Sequence, residues 1–180
     1  MSARRRQRLP AGCAALAIQS TLADSMTYSV GTTVPDNSLT GIASTETFTS
    51  GISSINDLTI NLTLSGGYNG DLYAYVTHGT GFSVLLNRAG VTGSNPFGYA
   101  DAGFNVSFND TAGLGNIHNY QLTINPGGGA LTGTWQPDGR AVSPIGVLDT
   151  DPVTAQLNSF NGIDPNGAWT LFVADVSPVG

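Results

Sequence analysis

The chain has 180 residues with Gly 24 and Pro 9, a formal net charge of −6, no lysine, and Glu46 as its single glutamate. That length suits one domain with its own core, and a composition rich in Thr, Ser and Asn excludes a helical bundle and favours short strands joined by turns. Four of the six basic residues are Arg4, Arg5, Arg6 and Arg8, so from Asp24 onward two arginines face twelve acids; the resulting −10 repels phosphate backbones and anionic lipid, which excludes nucleic acid and membrane surfaces as partners.

In chain order, basic MSARRRQR is followed by an apolar run from Leu9 to Ile18 and by small residues in Thr21-Leu-Ala23. This reads as a secretory signal over residues 1–23, leaving a secreted domain over 24–180. Cys13, the only cysteine, falls in the signal, so the folded part has neither a disulfide nor a thiolate zinc site. No run of about 18 apolar residues is present to form a membrane helix.

A first strand is predicted over 45–49. From Leu58 the apolar residues Leu58, Ile60, Leu62 and Leu64 alternate with Thr59, Asn61 and Thr63, the pattern of a strand with one buried face. Asn69-Gly70 is a hairpin signal, and beyond it Leu72, Ala74 and Val76 alternate with Tyr73 and Tyr75. Two antiparallel strands flanking Asp71 are therefore expected. Further strands are predicted over 82–86, 105–108, 120–124 and 169–174, with turn-rich stretches at 93–98, 125–129, 137–139, 149–152 and 161–167 and a helical turn near 153–157. No segment is long and amphipathic enough for a crossover helix, so the expected fold is all-β, an antiparallel sandwich or jelly roll.

Catalytic patterns are few. Nucleophilic chemistry needs a base, and only His78 and His118 are available; neither stands in a supporting motif, and no G-x-S-x-G elbow occurs. Most of the eleven aspartates neighbour Gly, Asn or Pro, where turn chemistry accounts for them better than a glycosidase carboxylate pair does. Asp149-Thr-Asp151-Pro lacks the remaining ligands and glycine of an EF-hand, and Gly127-Gly-Gly129 lacks the lysine and helix of a phosphate cradle. Trp135 and Trp169 invite a sugar-stacking reading. Alternation with Leu171 and Val173 assigns Trp169 to the core, whereas Trp135 lies in a turn-rich region and is the residue on which sugar binding rests.

Val34-Pro-Asp-Asn37 with Gly41, the alternating strand up to Leu64, Gly70-Asp-Leu72, and Asn166-Gly-Ala-Trp-Thr-Leu-Phe-Val-Ala-Asp175 together resemble the P domain (P/Homo B domain) of proprotein convertases. The likeness runs from about Tyr28 to the end of the chain. It implies a jelly-roll (galactose-binding-like) β-sandwich that carries no catalytic triad. Such a domain accompanies a subtilisin-like serine endopeptidase domain, in the same protein or encoded nearby, and supports its folding, stability and calcium or pH response. Family members often place a histidine a few residues before the G-D-L; here Leu64-Ser-Gly-Gly-Tyr68 stands there. They also continue past the final aspartate into a strand of the form G-x-L-x-x-W-x-L, so a domain lacking its last strand is expected.

Loops of a sandwich gather at its two ends, which allows Asp36, Asp71 and Asp175, with Asp101 as a further candidate, to form a structural calcium site. The other reading is that Asp71 caps its own turn through side-chain to backbone hydrogen bonds. Both stand at this point. The expectation is thus a secreted, non-catalytic accessory domain; the rivals are a carbohydrate- or protein-binding module and a hydrolase.

Overall fold

The computed structural model describes residues 23–178, so the signal segment and Cys13 lie outside the described residues, apart from Ala23. Among the described residues seven strands form: β1 (Ile42–Phe48), β2 (Ile60–Ser65), β3 (Leu72–His78), β4 (Gly81–Asn87), β5 (Gly103–Phe108), β6 (Leu131–Trp135) and β7 (Gly167–Asp175). They make a four-stranded sheet in the order β1-β7-β3-β4 and a three-stranded sheet in the order β2-β5-β6. Among the described residues the only helical pieces are 3₁₀ turns, and no helix is long and apolar enough to cross a membrane.

The alternation read in the sequence is what builds the core. Leu72, Ala74, Val76, Trp169 and Val173 from the larger sheet meet Leu62, Phe104, Val106, Phe108, Leu131 and Trp135 from the smaller one in a single buried cluster. The chain is an all-β sandwich. On the opposite face of the larger sheet Tyr73, Tyr75 and Phe172 pack as a cross-strand aromatic row, with Tyr75 and Phe172 stacked at 4.8 Å. Such pairs stabilise a sheet on the face that the core does not reach.

Four expectations need correction. The segments flanking Asp71 do not form a hairpin: β2 pairs with β5, β3 pairs with β4 and β7, and the turn between them carries the chain from one sheet to the other. Neither Asn69 nor Gly70 takes the positive φ that a type I′ turn requires. Instead Asn69 is buried, donating to the Gly103 carbonyl and the Tyr120 hydroxyl and accepting from Gly103 N, and a Cβ on Gly70 would collide with the Phe97 carbonyl and Gly98. The Asn-Gly pair is selected by close packing between sheets.

Second, residues 120–124 are not a strand; Ile117–Leu122 form a 3₁₀ segment that buries Ile117, His118 and Tyr120. Third, β6 was hidden in a turn-rich stretch, and it runs parallel to β5, so the smaller sheet is mixed. Fourth, Trp135 at the end of β6 is fully buried, its indole donating to the Thr132 carbonyl at 2.9 Å, which removes it as a sugar platform. The helical turn expected near 153–157 lies slightly later, at Leu157–Phe160.

Burial at this depth sets the cost of truncation. Trp135→Ala is expected to lower unfolding free energy by about 3–5 kcal/mol. Leu122→Ala, at a side chain 84% exposed, is expected to change it by less than about 0.5 kcal/mol. Denaturant unfolding of the two variants checks the contrast.

Candidate functional site: a buried carboxylate between the sheets

Asp71 closes the 3₁₀ turn Asn69–Asp71 and leads directly into β3. Its backbone is tied at both ends of the site, Asp71 N donating to the Tyr68 carbonyl and Val176 N donating to the Asp71 carbonyl, each at 2.9 Å. The side chain is 1% exposed, and among the described residues neither carboxylate oxygen has a hydrogen-bond partner. The turn-capping reading of Asp71 is therefore overturned. A buried carboxylate in this state is costly to keep ionised.

Among the described residues the nearest countercharge is Arg88, with Nη2 3.7 Å from Asp71 Oδ1. That guanidinium is held mainly by carbonyls, Nε donating to Gly70 O at 3.0 Å and Nη2 to Pro96 O at 3.2 Å. Its backbone sits in the left-handed region at φ 51°, a costly conformation for a residue with a Cβ, and Arg88 N donates to the Leu72 carbonyl.

Pairing of β3 with β7 sets Leu72 opposite Asp175, and Ser38 N donates to the Asp175 carbonyl at 2.7 Å, bringing the segment that carries Asp36 to the same rim. Burial, and then the charges of Asp175 and Asp36, push the Asp71 carboxyl up to about 6. Arg88 and the nearby Ser177 hydroxyl pull the other way without supplying a hydrogen bond of ordinary geometry. Asp175 is raised as well, by burial and by Asp36, against a backbone bond from Ser177. Three of the four acids expected at one site thus share one electrostatic neighbourhood: Asp36 exposed, Asp175 half-buried, Asp71 enclosed.

Asp101 does not join them. Its carboxylate accepts from the Tyr120 hydroxyl at 2.7 Å, Gln121 Nε2 at 2.6 Å and Gly128 N at 2.7 Å, so its lone pairs are engaged in fixing the 120–128 loop. Among the described residues no group of three His, Cys, Asp or Glu side chains stands close enough to hold a metal ion. The unpartnered Asp71 oxygens suit a hard cation; the side-chain set around them is incomplete.

Both histidines are buried. His78 ends β3, stacked on the Trp169 indole at 4.2 Å, with Nδ1 and Nε2 on the carbonyl oxygens of Ala168 and Asp164 at 2.9 and 2.7 Å. His118 lies between Asp138 Oδ2 at 2.8 Å and the Val91 carbonyl at 2.9 Å. Asp138 also faces Arg140, whose Nη1 is 3.2 Å from Oδ1. This buried His118–Asp138–Arg140 chain has no local sequence signal, because its outer members stand 22 positions apart with a loop and strand β6 between them. Every ring nitrogen of the two histidines already meets an oxygen, which leaves none free to activate a nucleophile.

Comparison with protein-family models, with curated proteins and with solved structures found no match to this chain.

The raised Asp71 carboxyl has a definite pH signature. With a folded value of about 6 against an ordinary 3.8, the folded state holds this proton more tightly than the unfolded chain does. Its contribution to stability is complete below the ordinary value and is lost as pH rises through 6. Relative to Asp71→Asn, the wild-type melting temperature is therefore expected to fall between pH 4 and pH 7; parallel profiles for the two proteins would contradict the assignment.

Proposed function

We propose that this chain is a non-catalytic accessory domain of the P/Homo B type, acting as a folding and stabilising module for a subtilisin-like serine endopeptidase domain of a secreted protein. One observation carries the reading. The two stretches on which the resemblance rests, Gly70-Asp-Leu72 and Trp169 to Asp175, are far apart in sequence yet lie side by side as β3 and β7 in register, Leu72 against Asp175 and Val76 against Leu171. Motifs that merely occur by chance in a Thr-rich sequence have no reason to meet in one ladder.

Calcium belongs to this reading as its ion. Asp71 is the donor of choice because its oxygens are unpartnered, with Asp36 and Asp175 as the neighbouring charges. Bound calcium would neutralise three acids that otherwise repel one another. The rival binding-module reading keeps its protein-binding form, but its sugar form loses the residue it rested on once Trp135 is in the core.

The test is refolding of a subtilisin-type catalytic domain with and without the chain. A higher yield of active protease is expected with it, and the chain alone is expected to hydrolyse neither peptide nor glycoside substrates. An unchanged yield, or hydrolysis by the chain itself, speaks against the proposal. In the same preparation millimolar calcium is expected to raise the melting temperature of the wild type and not of Asp71→Asn; equal behaviour of the two proteins removes the ion from the account.

A further inference from the structure

Four strands face three. In the larger sheet Ile42 and Phe48 of the edge strand β1 turn toward the interior, while the smaller sheet ends at β2, whose outer side meets no strand among the described residues. Between β1 and β2 lies a cleft of about 1130 Å³. Its walls are the apolar side chains Ile42, Phe48, Leu64 and Leu171, and Asp24 and Asp175 add negative charge to its lining.

Residues 24–34 line this cleft, with Met26 and Val34 against the core, yet among the described residues no backbone hydrogen bond links that segment to β2. Alternate residues of a strand direct their N–H and C=O to opposite sides, so half of the main-chain groups of β2 have no ladder partner. Ile60–Ser65 also contains no charged residue and no proline, the usual devices by which a free edge is blunted.

We infer that this cleft is the seat for an extended strand of a partner polypeptide, apolar at alternate positions and basic at its ends, which adds to β2 as a fourth strand of the smaller sheet. Each feature of the cleft selects one feature of the occupant. The unpaired ladder selects a β-strand, and the six residues of β2 set its length at about 20 Å. The apolar walls on one side only select alternation, and Asp24 and Asp175 select basic ends. A small apolar ligand would fill the walls and leave the ladder unpaired. A second copy pairing through its own β2 would bring no positive charge to Asp24 and Asp175, since Ile60–Ser65 contains no charged residue. The seat follows from the mismatch between the sheets and does not rest on the accessory-domain reading.

The test uses the full chain and a synthetic peptide of alternating isoleucine and threonine with an arginine at each end, followed by titration and amide hydrogen exchange. Saturable binding is expected, with new protection at every second amide of β2. Replacing the central residue of the peptide by proline is expected to abolish binding, and exchanging its arginines for glutamates to weaken it by about tenfold. The inference is overturned by an absence of binding at millimolar peptide, or by equal binding of the proline peptide. It is overturned equally if the β2 amides are already protected in the free chain, since the chain's own residues 24–34 or a second copy would then hold the edge.

Discussion

The antiparallel ladder between β3 and β7 is the constraint from which the remaining structure follows. It lies at the centre of the larger sheet and turns Leu72, Ala74 and Val76 inward beside Trp169 and Val173. Burying a side chain of this size is favourable by roughly 1.5–3 kcal/mol relative to leaving it exposed. The same register that aligns those side chains sets Asp175 opposite Leu72, so the rim of the ladder is where acids accumulate. Packing of the core and crowding of charge at Asp71 are two consequences of one pairing.

Charge at that rim is held by backbone more than by countercharge. Arg88 approaches Asp71 to 3.7 Å, but its guanidinium is satisfied by the Gly70 and Pro96 carbonyls, and the carboxylate keeps no hydrogen bond. Other buried polar groups at the sheet crossings are better served: Asn69 makes three side-chain bonds between the sheets, and His118, Asp138 and Arg140 form a continuous chain in which only Arg140 Nε lacks a partner among the described residues. Among the described residues Asp71 alone has two unpartnered buried side-chain atoms, which marks it as the place where a proton or an ion has the most to contribute.

Unequal sheets have a second consequence. A sandwich buries both inner faces only when strand lies over strand, and three strands cannot cover four. Residues 24–34 lie in the gap without joining the ladder, so the interior is partly closed by side chains while the β2 edge stays unpaired. The accessory-domain reading and the strand seat thus adjoin at Asp175, which belongs to the β3–β7 rim and also lines the cleft beside the β2 edge.

Much of the strand content was legible in the sequence, because alternation in 58–64, 72–76 and 169–174 is a local property of the chain, and all three segments became β2, β3 and β7. The acid site was not legible in the same way: Asp175 and Asp36 raise the Asp71 carboxyl, but among the described residues no three such side chains stand close enough to hold a metal ion, and Asp101 is bound to Tyr120 instead. What the sequence alone did not determine is which strand pairs with which. Asn69-Gly70 signals a hairpin locally, and only the packing of Gly70 against Phe97 and Gly98, together with the buried Asn69 amide, shows the turn passing between sheets. Likewise β6, Trp135 and the His118–Asp138 contact depend on partners distant along the chain, whose approach is decided by the competition for a shared core. Periodicity reports which face of a segment is apolar; the tertiary fold decides what that face meets.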